Sequence, residues 1–209
     1  MRRLLPMAGA TLALLLVTSA AQASGCIASK PGTGLSADEA SAVYDCLKDA
    51  LLEGYRQGDK RWIPGDYVES FRLWERASRN PAFSPAHGGR HLLTYVNAAG
   101  ARDYLRFSDS DVTMPVGTLI AAESFSVDER GRAQPGPLFL MEKVELGRSP
   151  QTDDWFYMAV APNGSPMVMD VISACSACHQ GRFGQRGGLG YPPVEARAVP
   201  VPASGGQPE

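Results

Sequence analysis

The sequence predicts an α+β fold: a mostly antiparallel β-sheet with N-terminal helices packed on it, in a single domain. Three observations predict it. Apolar residues early in the chain recur at helical spacing behind a capping signal. The middle of the chain alternates short apolar segments with Gly-, Pro- and Asn-bearing turns, at the spacing of antiparallel strands. Once an N-terminal leader is set aside, about 185 residues remain, a length suited to one core.

The leader has three parts: Arg2 and Arg3, an apolar run over 4–17, and small residues ending at Ala21-Gln22-Ala23. That is the pattern of a secretory signal peptide cut after Ala23, and the run is too short to span a membrane. The expected division is therefore a signal peptide over 1–23, the folded domain over 24–198 and a disordered tail over 199–209. The expected address is the periplasm. Ala23-Ser24-Gly25-Cys26 also resembles a lipid-attachment box. It carries alanine where a large aliphatic residue belongs, so lipoprotein anchoring at Cys26 ranks second. The net charge is −2 with no long basic block, which argues against a nucleic-acid partner.

Ser36-Ala37-Asp38-Glu39 is a capping box, since the Ser36 hydroxyl can take an orphan amide while Glu39 reaches back. Ala40, Val43, Tyr44, Leu47, Leu51 and Tyr55 follow as the apolar stripe of a first helix, fraying between Gly54 and Gly58. Asp66, with Glu69 three residues on, signals a second helix whose stripe is Val68, Phe71 and either Trp74 or Glu75, stopped at Asn80-Pro81. Strands are expected over 91–96, closed by Asn97 and Gly100, over 118–125, over 138–144 and over 155–160. A last strand over 167–172 is expected after the Pro162-Asn163-Gly164 turn.

Near the C-terminus stands Cys175-Ser176-Ala177-Cys178-His179. Two thiols three apart, with histidine directly after the second, form the attachment signature of c-type haem. The cysteines reach the two vinyl groups of one porphyrin edge, and the histidine brings an imidazole under the iron. Two other readings compete. A redox disulfide between Cys175 and Cys178 calls for a βαβ context, which is missing. A zinc site completed by His87 and His91 calls for a rigid histidine pair, and Gly88 and Gly89 lie between them. Assigning Cys175 and Cys178 to haem leaves Cys26 and Cys46, expected as a disulfide in an exported protein.

Small electron-transfer cytochromes carry this motif near the N-terminus, and all-helical cytochromes c′ carry it on the last of four helices. Here it comes late but follows strands. The chain resembles the cytochrome P-460 family, whose relatives include the cytochromes c′-beta. The resemblance covers nearly the whole mature chain. It rests on His87-Gly88 through Tyr95-Val96-Asn97, Met114-Pro115-Val116-Gly117-Thr118, Pro135-Gly136-Pro137-Leu138-Phe139, Met141-Glu142-Lys143, Asp153-Asp154-Trp155-Phe156-Tyr157 and the haem motif.

The resemblance implies an antiparallel sheet with packed helices and one five-coordinate haem c, covalently held by Cys175 and Cys178. It also implies His179 as proximal iron ligand, an open distal face, homodimers and a redox partner protein. Family activities are hydroxylamine oxidation and nitric oxide binding or detoxification. In hydroxylamine-oxidising members a lysine is joined to the haem. This chain has Ala121 and Ala122 on the strand where relatives carry that lysine, and only Lys143 of its four lysines falls in the sheet region. Lys143 is thus the one candidate cross-link, but surface salt-bridging ranks ahead of it, and a haem without the cross-link is expected. Its neighbour Glu142 should face the other side of the strand. Distal candidates are the acids Glu123, Glu142 and Asp170, which could shuttle protons, and Phe125 and Phe139, which would exclude water. Met141, Met158, Met167 and Met169 are candidates for a sixth ligand, which would make the protein a His/Met electron carrier instead.

Overall fold

A computed structural model describes residues 25–167 and 170–198. The leader, Met169 and the tail from Val199 lie outside the described residues. Among the described residues, no helix is long and apolar enough to cross a membrane.

Helix α1 (Ala37–Arg56) starts on the expected capping box: Glu39 N donates to Ser36 Oγ at 3.3 Å, and Ser36 N donates to Glu39 Oε2 at 2.7 Å. It buries Ala40, Val43, Leu47, Leu51 and Tyr55. Each of the larger of these side chains stabilises the fold by roughly 1.5–3 kcal/mol of burial. Tyr55 also donates its hydroxyl to the Gly136 carbonyl at 2.8 Å, which ties the C-terminal end of the helix to the sheet. From the middle of the helix Cys46 forms the expected disulfide with Cys26, with Cα atoms 5.9 Å apart. Closing that loop contributes about 3 kcal/mol.

The chain continues through α2 (Tyr67–Ser70), β1 (Glu75–Arg76), β2 (Ala82–Ser84), β3 (Arg90–Val96), α3 (Ala98–Tyr104), β4 (Leu119–Val127), β5 (Ala133–Lys143) and β6 (Trp155–Val160). A π-helical turn (Val171–Ser176) then runs directly into α4 (Ala177–Phe183). The strands form one six-stranded sheet in the order β1-β3-β4-β5-β6, with β2 also paired to β3, and every pairing is antiparallel. The α+β class and the antiparallel sheet are as expected.

Four elements differ from expectation. The second helix is one turn long, because after a 3-10 turn at Phe71–Leu73 the chain extends to pair Glu75 and Arg76 with Val96 and Tyr95. Asp66 makes no side-chain cap there. Helix α3 was not expected: Asn97, read as a strand stop, caps it by accepting from Gly100 N at 3.3 Å. Strand β5 begins before Pro135 and not after Pro137. A register shift between Glu123 and Phe125 absorbs the two prolines, which have no N–H to give the ladder. Among the described residues, the expected strand over 167–172 does not form. Only Pro166 bridges to Val160, and the chain coils into the π-helical turn from Val171.

The sheet separates two cores. On the helix side, Leu47, Leu51 and Tyr55 pack with Leu93, Tyr95, Phe125, Leu138 and Leu140. On the other side, Val96, Tyr104, Met114, Ile120, Met141, Trp155 and Leu189 form a second cluster. Residues 192–198 are held by Arg79 N donating to the Ala196 carbonyl and Ala198 N to the Ala77 carbonyl.

His91 belongs to the helix-side core. It is 2 % exposed and stacks on Phe125 with ring centroids 5.1 Å apart. Burial pushes its pKa down, and Nδ1 has no partner among the described residues. The folded chain therefore holds His91 neutral, while the unfolded chain takes up a proton near pH 6.5. Stability from this residue is present above that pH and lost as pH falls below it. Melting curves between about pH 7.5 and 5.5 should fall less steeply for His91→Phe than for the wild type. Equal slopes would mean that His91 is not held neutral.

Candidate functional site

The strand pleat sends alternate side chains to opposite faces. Thr94, Ala122 and Phe139 stand in one cross-strand row, and all three line a cavity of about 490 Å³ on the face away from α1. Their neighbours Tyr95, Ala121 and Leu140 belong to the helix-side core. The far wall is the π-helical turn and α4, which bring Cys175, Cys178 and His179 to the same cavity. Asp170 starts that turn, its Oδ1 accepting from Ile172 N at 3.1 Å and Ser173 N at 2.9 Å. The cavity volume is in the range of small-molecule and cofactor sites.

Both thiols are free and half-buried, and burial pushes the Cys175 thiol up. His179 is fixed through Nδ1, which lies 2.8 Å from the Gly188 carbonyl. That carbonyl is positioned by Gly187 and Gly188, with φ of 68° and 76°. A Cβ at Gly188 would stand 2.4 Å from Gln180 Nε2 and would be strained by the φ alone. Tyr157 and Phe183 flank the His179 ring at 5.5 and 6.0 Å. With Nδ1 engaged, Nε2 is the nitrogen left to act in the cavity.

His87 lines the same cavity. It ends a 3-10 turn (Pro85–His87), and Gly88 and Gly89 follow with φ of 73° and 67°, reversing the chain into β3. Burial, with smaller effects of His179 and Arg90, pushes its pKa down to about 4. Phe139 packs against its ring at 5.1 Å. Arg90 and Arg182 also line the cavity, and Arg90 Nε and the Tyr191 hydroxyl are buried with no partner among the described residues.

The expected distal residues are not brought together. Phe139, Met141 and Met167 line the cavity, whereas Met158 borders it but stands opposite Leu140 and packs against the helix-side core. Glu123 and Phe125 do not: both project to the helix side, where the Tyr44 hydroxyl donates to Glu123 Oε2 at 2.8 Å and Arg72 forms an ion pair with it. Asp170 is occupied as an exposed cap. Glu142 lines a separate groove beside Pro64, Arg148 and Phe156. Lys143 turns away from the cavity, its Nζ donating to the Asp153 carbonyl at 2.6 Å and sitting 5.4 Å from the Trp155 ring centre. Among the described residues, no lysine lines the cavity.

His87 and His91 do not converge on Cys175 and Cys178, because His91 lies across the sheet, and among the described residues no cluster of three or more His, Cys, Asp and Glu is arranged to hold a metal ion. Sequence reasoning weighed His87 only in that zinc setting and did not single out Arg90, Arg182 or Tyr191. A usable signal for His87 was present: the chain has three histidines, and this one sits between a proline turn and two glycines. Neither the protein-family models nor the curated proteins match this chain.

Proposed function

We propose that this chain is a periplasmic mono-haem c-type cytochrome of the P-460 type that binds small nitrogen species. The observation that carries the proposal is that Cys175, Cys178 and His179 all open onto one cavity, with His179 tethered by Nδ1 so that Nε2 faces it. The residues present suit a haem. Cys175 and Cys178 would hold it covalently and His179 would be its proximal ligand. Arg90, Arg182 and the orphaned Tyr191 hydroxyl offer donors for its carboxylates. When bound, the group supplies a redox-active iron.

The surroundings favour nitric oxide over hydroxylamine. Oxidising hydroxylamine requires protons to leave, and the carboxylates Glu123, Glu142 and Asp170 all lie outside the cavity. Phe139, Ala122, Ile120 and Leu92 present apolar walls that exclude water and accept a small neutral molecule. The absence of lysine from the lining supports a haem held by its thioethers alone. A His/Met electron carrier is the second reading, and the presence of Met141 and Met167 in the lining favours it.

Intact mass of the chain recovered from a periplasm able to mature c-type cytochromes tests this directly. It should exceed the processed polypeptide by one haem, with both thioethers on the peptide carrying Cys175 and Cys178. The ferrous absorption spectrum should then shift on adding nitric oxide. An unmodified polypeptide mass would sink the haem reading, and an unshifted spectrum the nitric oxide reading.

A further inference from the structure

We propose that His87 is the second axial ligand of the iron in the resting protein, on the side opposite His179. This rests on the haem reading above and replaces the open distal face that the family resemblance implies. The His87 and His179 rings are neighbours, with centroids 6.4 Å apart and planes at 74°. Two imidazoles that share one first-row metal through facing nitrogens, at about 2 Å each, have centroids roughly 6 Å apart. Any angle between the ring planes is compatible with a shared axis.

Edge-to-face packing of two rings reaches the same separation. The hydrogen bonds separate the two cases. His179 Nδ1 is engaged by the Gly188 carbonyl at 2.8 Å, and His87 Nδ1 by Ser84 Oγ at 2.9 Å. Neither Nε2 has a hydrogen-bond partner among the described residues, although both rings border the cavity. A histidine whose outer nitrogen is tied to an oxygen and whose inner nitrogen is bare is oriented as metal-bound histidines are. Simple packing calls for no such tie on both rings. Phe139 braces His87 from the sheet side, and Tyr157 and Phe183 brace His179.

The two ligands sit on supports of different stiffness. His179 is on α4 and is anchored to a glycine turn that Trp155 Nε1 also grips, donating to the Gly187 carbonyl at 3.0 Å. His87 is on a single 3-10 turn followed by two glycines. The His87 side is therefore the one that can let go. An added gas must wait for the ring to leave, so His87 acts as a gate on the nitric oxide site.

The test uses the mature, haem-loaded full chain, with covalent haem first verified by mass. Ferric electron paramagnetic resonance and near-infrared magnetic circular dichroism should show a low-spin bis-imidazole centre. His87→Ala should be high-spin, and free imidazole should return it to the low-spin form. Carbon monoxide, as a probe of the ferrous protein, should associate faster with His87→Ala than with the wild type by roughly tenfold or more. His87→Gln serves as a second variant should alanine fold poorly. A high-spin or His/Met wild-type spectrum would overturn the assignment, as would a low-spin spectrum unchanged in both variants. Those outcomes leave the haem reading standing. A chain without covalent haem overturns both.

Discussion

Arg72→Met is expected to lose about 3–5 kcal/mol of stability, the cost of stripping one partner from a buried ion pair. For a chain of this size that lowers the melting temperature by on the order of 10 °C. Glu123 is fully buried on the helix face of β4, where burial pushes its carboxyl up against the opposing pull of Arg72. The Arg72 guanidinium donates to both Glu123 oxygens, Nε to Oε2 at 3.1 Å, and to the Lys48 carbonyl of α1 at 2.5 Å. One side chain thus ties the segment after α2 to both the sheet and the first helix. Methionine keeps much of the apolar stem but leaves a carboxylate with only Tyr44 to solvate it.

The double variant Arg72→Met with Glu123→Gln should recover most of the loss. Glutamine still accepts from Tyr44 and carries no charge into the core. The coupling between the two sites is read from a double-mutant cycle. An Arg72→Met chain that melts with the wild type would show that the pair is not holding these elements together.

Glu123 also marks where the sequence misleads. The alternation along β4 is visible in the residues, but both of its faces are covered, so apolar patterning does not say which face meets the cavity. Burial at Ala121 and Ala122 reads alike from the sequence. Only the position of α1 on one side and of α4 on the other assigns Glu123 to the first and Ala122 to the second. The same ambiguity left Phe125 and Phe139 equivalent as candidates, and they point opposite ways.

Signals that depend on neighbouring residues were legible. The Ser36–Glu39 capping box and the α1 stripe are local chemistry, and each is formed. The Cys26–Cys46 disulfide followed from setting aside the motif cysteines. What escaped depends on partners far along the chain. Trp74 leaves helical geometry because β3 offers a ladder to the residues that follow. Asn97 serves the strand end and α3 together, its Oδ1 accepting from Leu119 N at 3.0 Å as well as from Gly100 N. His87 becomes a site residue only when the edge of β3 is laid beside α4, about ninety positions away; its flanking proline and glycines mark the position but not the partner.

If the haem proposal holds, Cys175→Ser with Cys178→Ser should abolish covalent attachment, and the loss should be felt on one face of the sheet only. The helix-side core, from Leu47, Leu51 and Tyr55 to Leu93 and Leu138, is closed without the cavity and keeps its disulfide. The opposite cluster shares Tyr104, Ile120 and Met141 with the cavity lining. With nothing filling about 490 Å³, these side chains lose packing partners on one side. The π-helical turn and α4 bear on the rest of the protein mainly through that cavity.

Native-state hydrogen exchange should therefore stay slow in α1 and in the β3–β5 ladders of the variant, and become fast over residues 104–118 and 171–191. The unfolding free energy should fall by several kcal/mol, because the packing contacts that the folded cavity would make with the group are lost. Haem staining after denaturing electrophoresis reads the attachment itself. A variant that still stains would show that these sulfurs are not the attachment points. Exchange that rises equally on both faces would show that the two cores are not independent. Slow exchange retained at Gly187, Gly188 and Leu189 would mean that the glycine turn behind His179 stands without the cofactor, so that the proximal side is preformed before attachment.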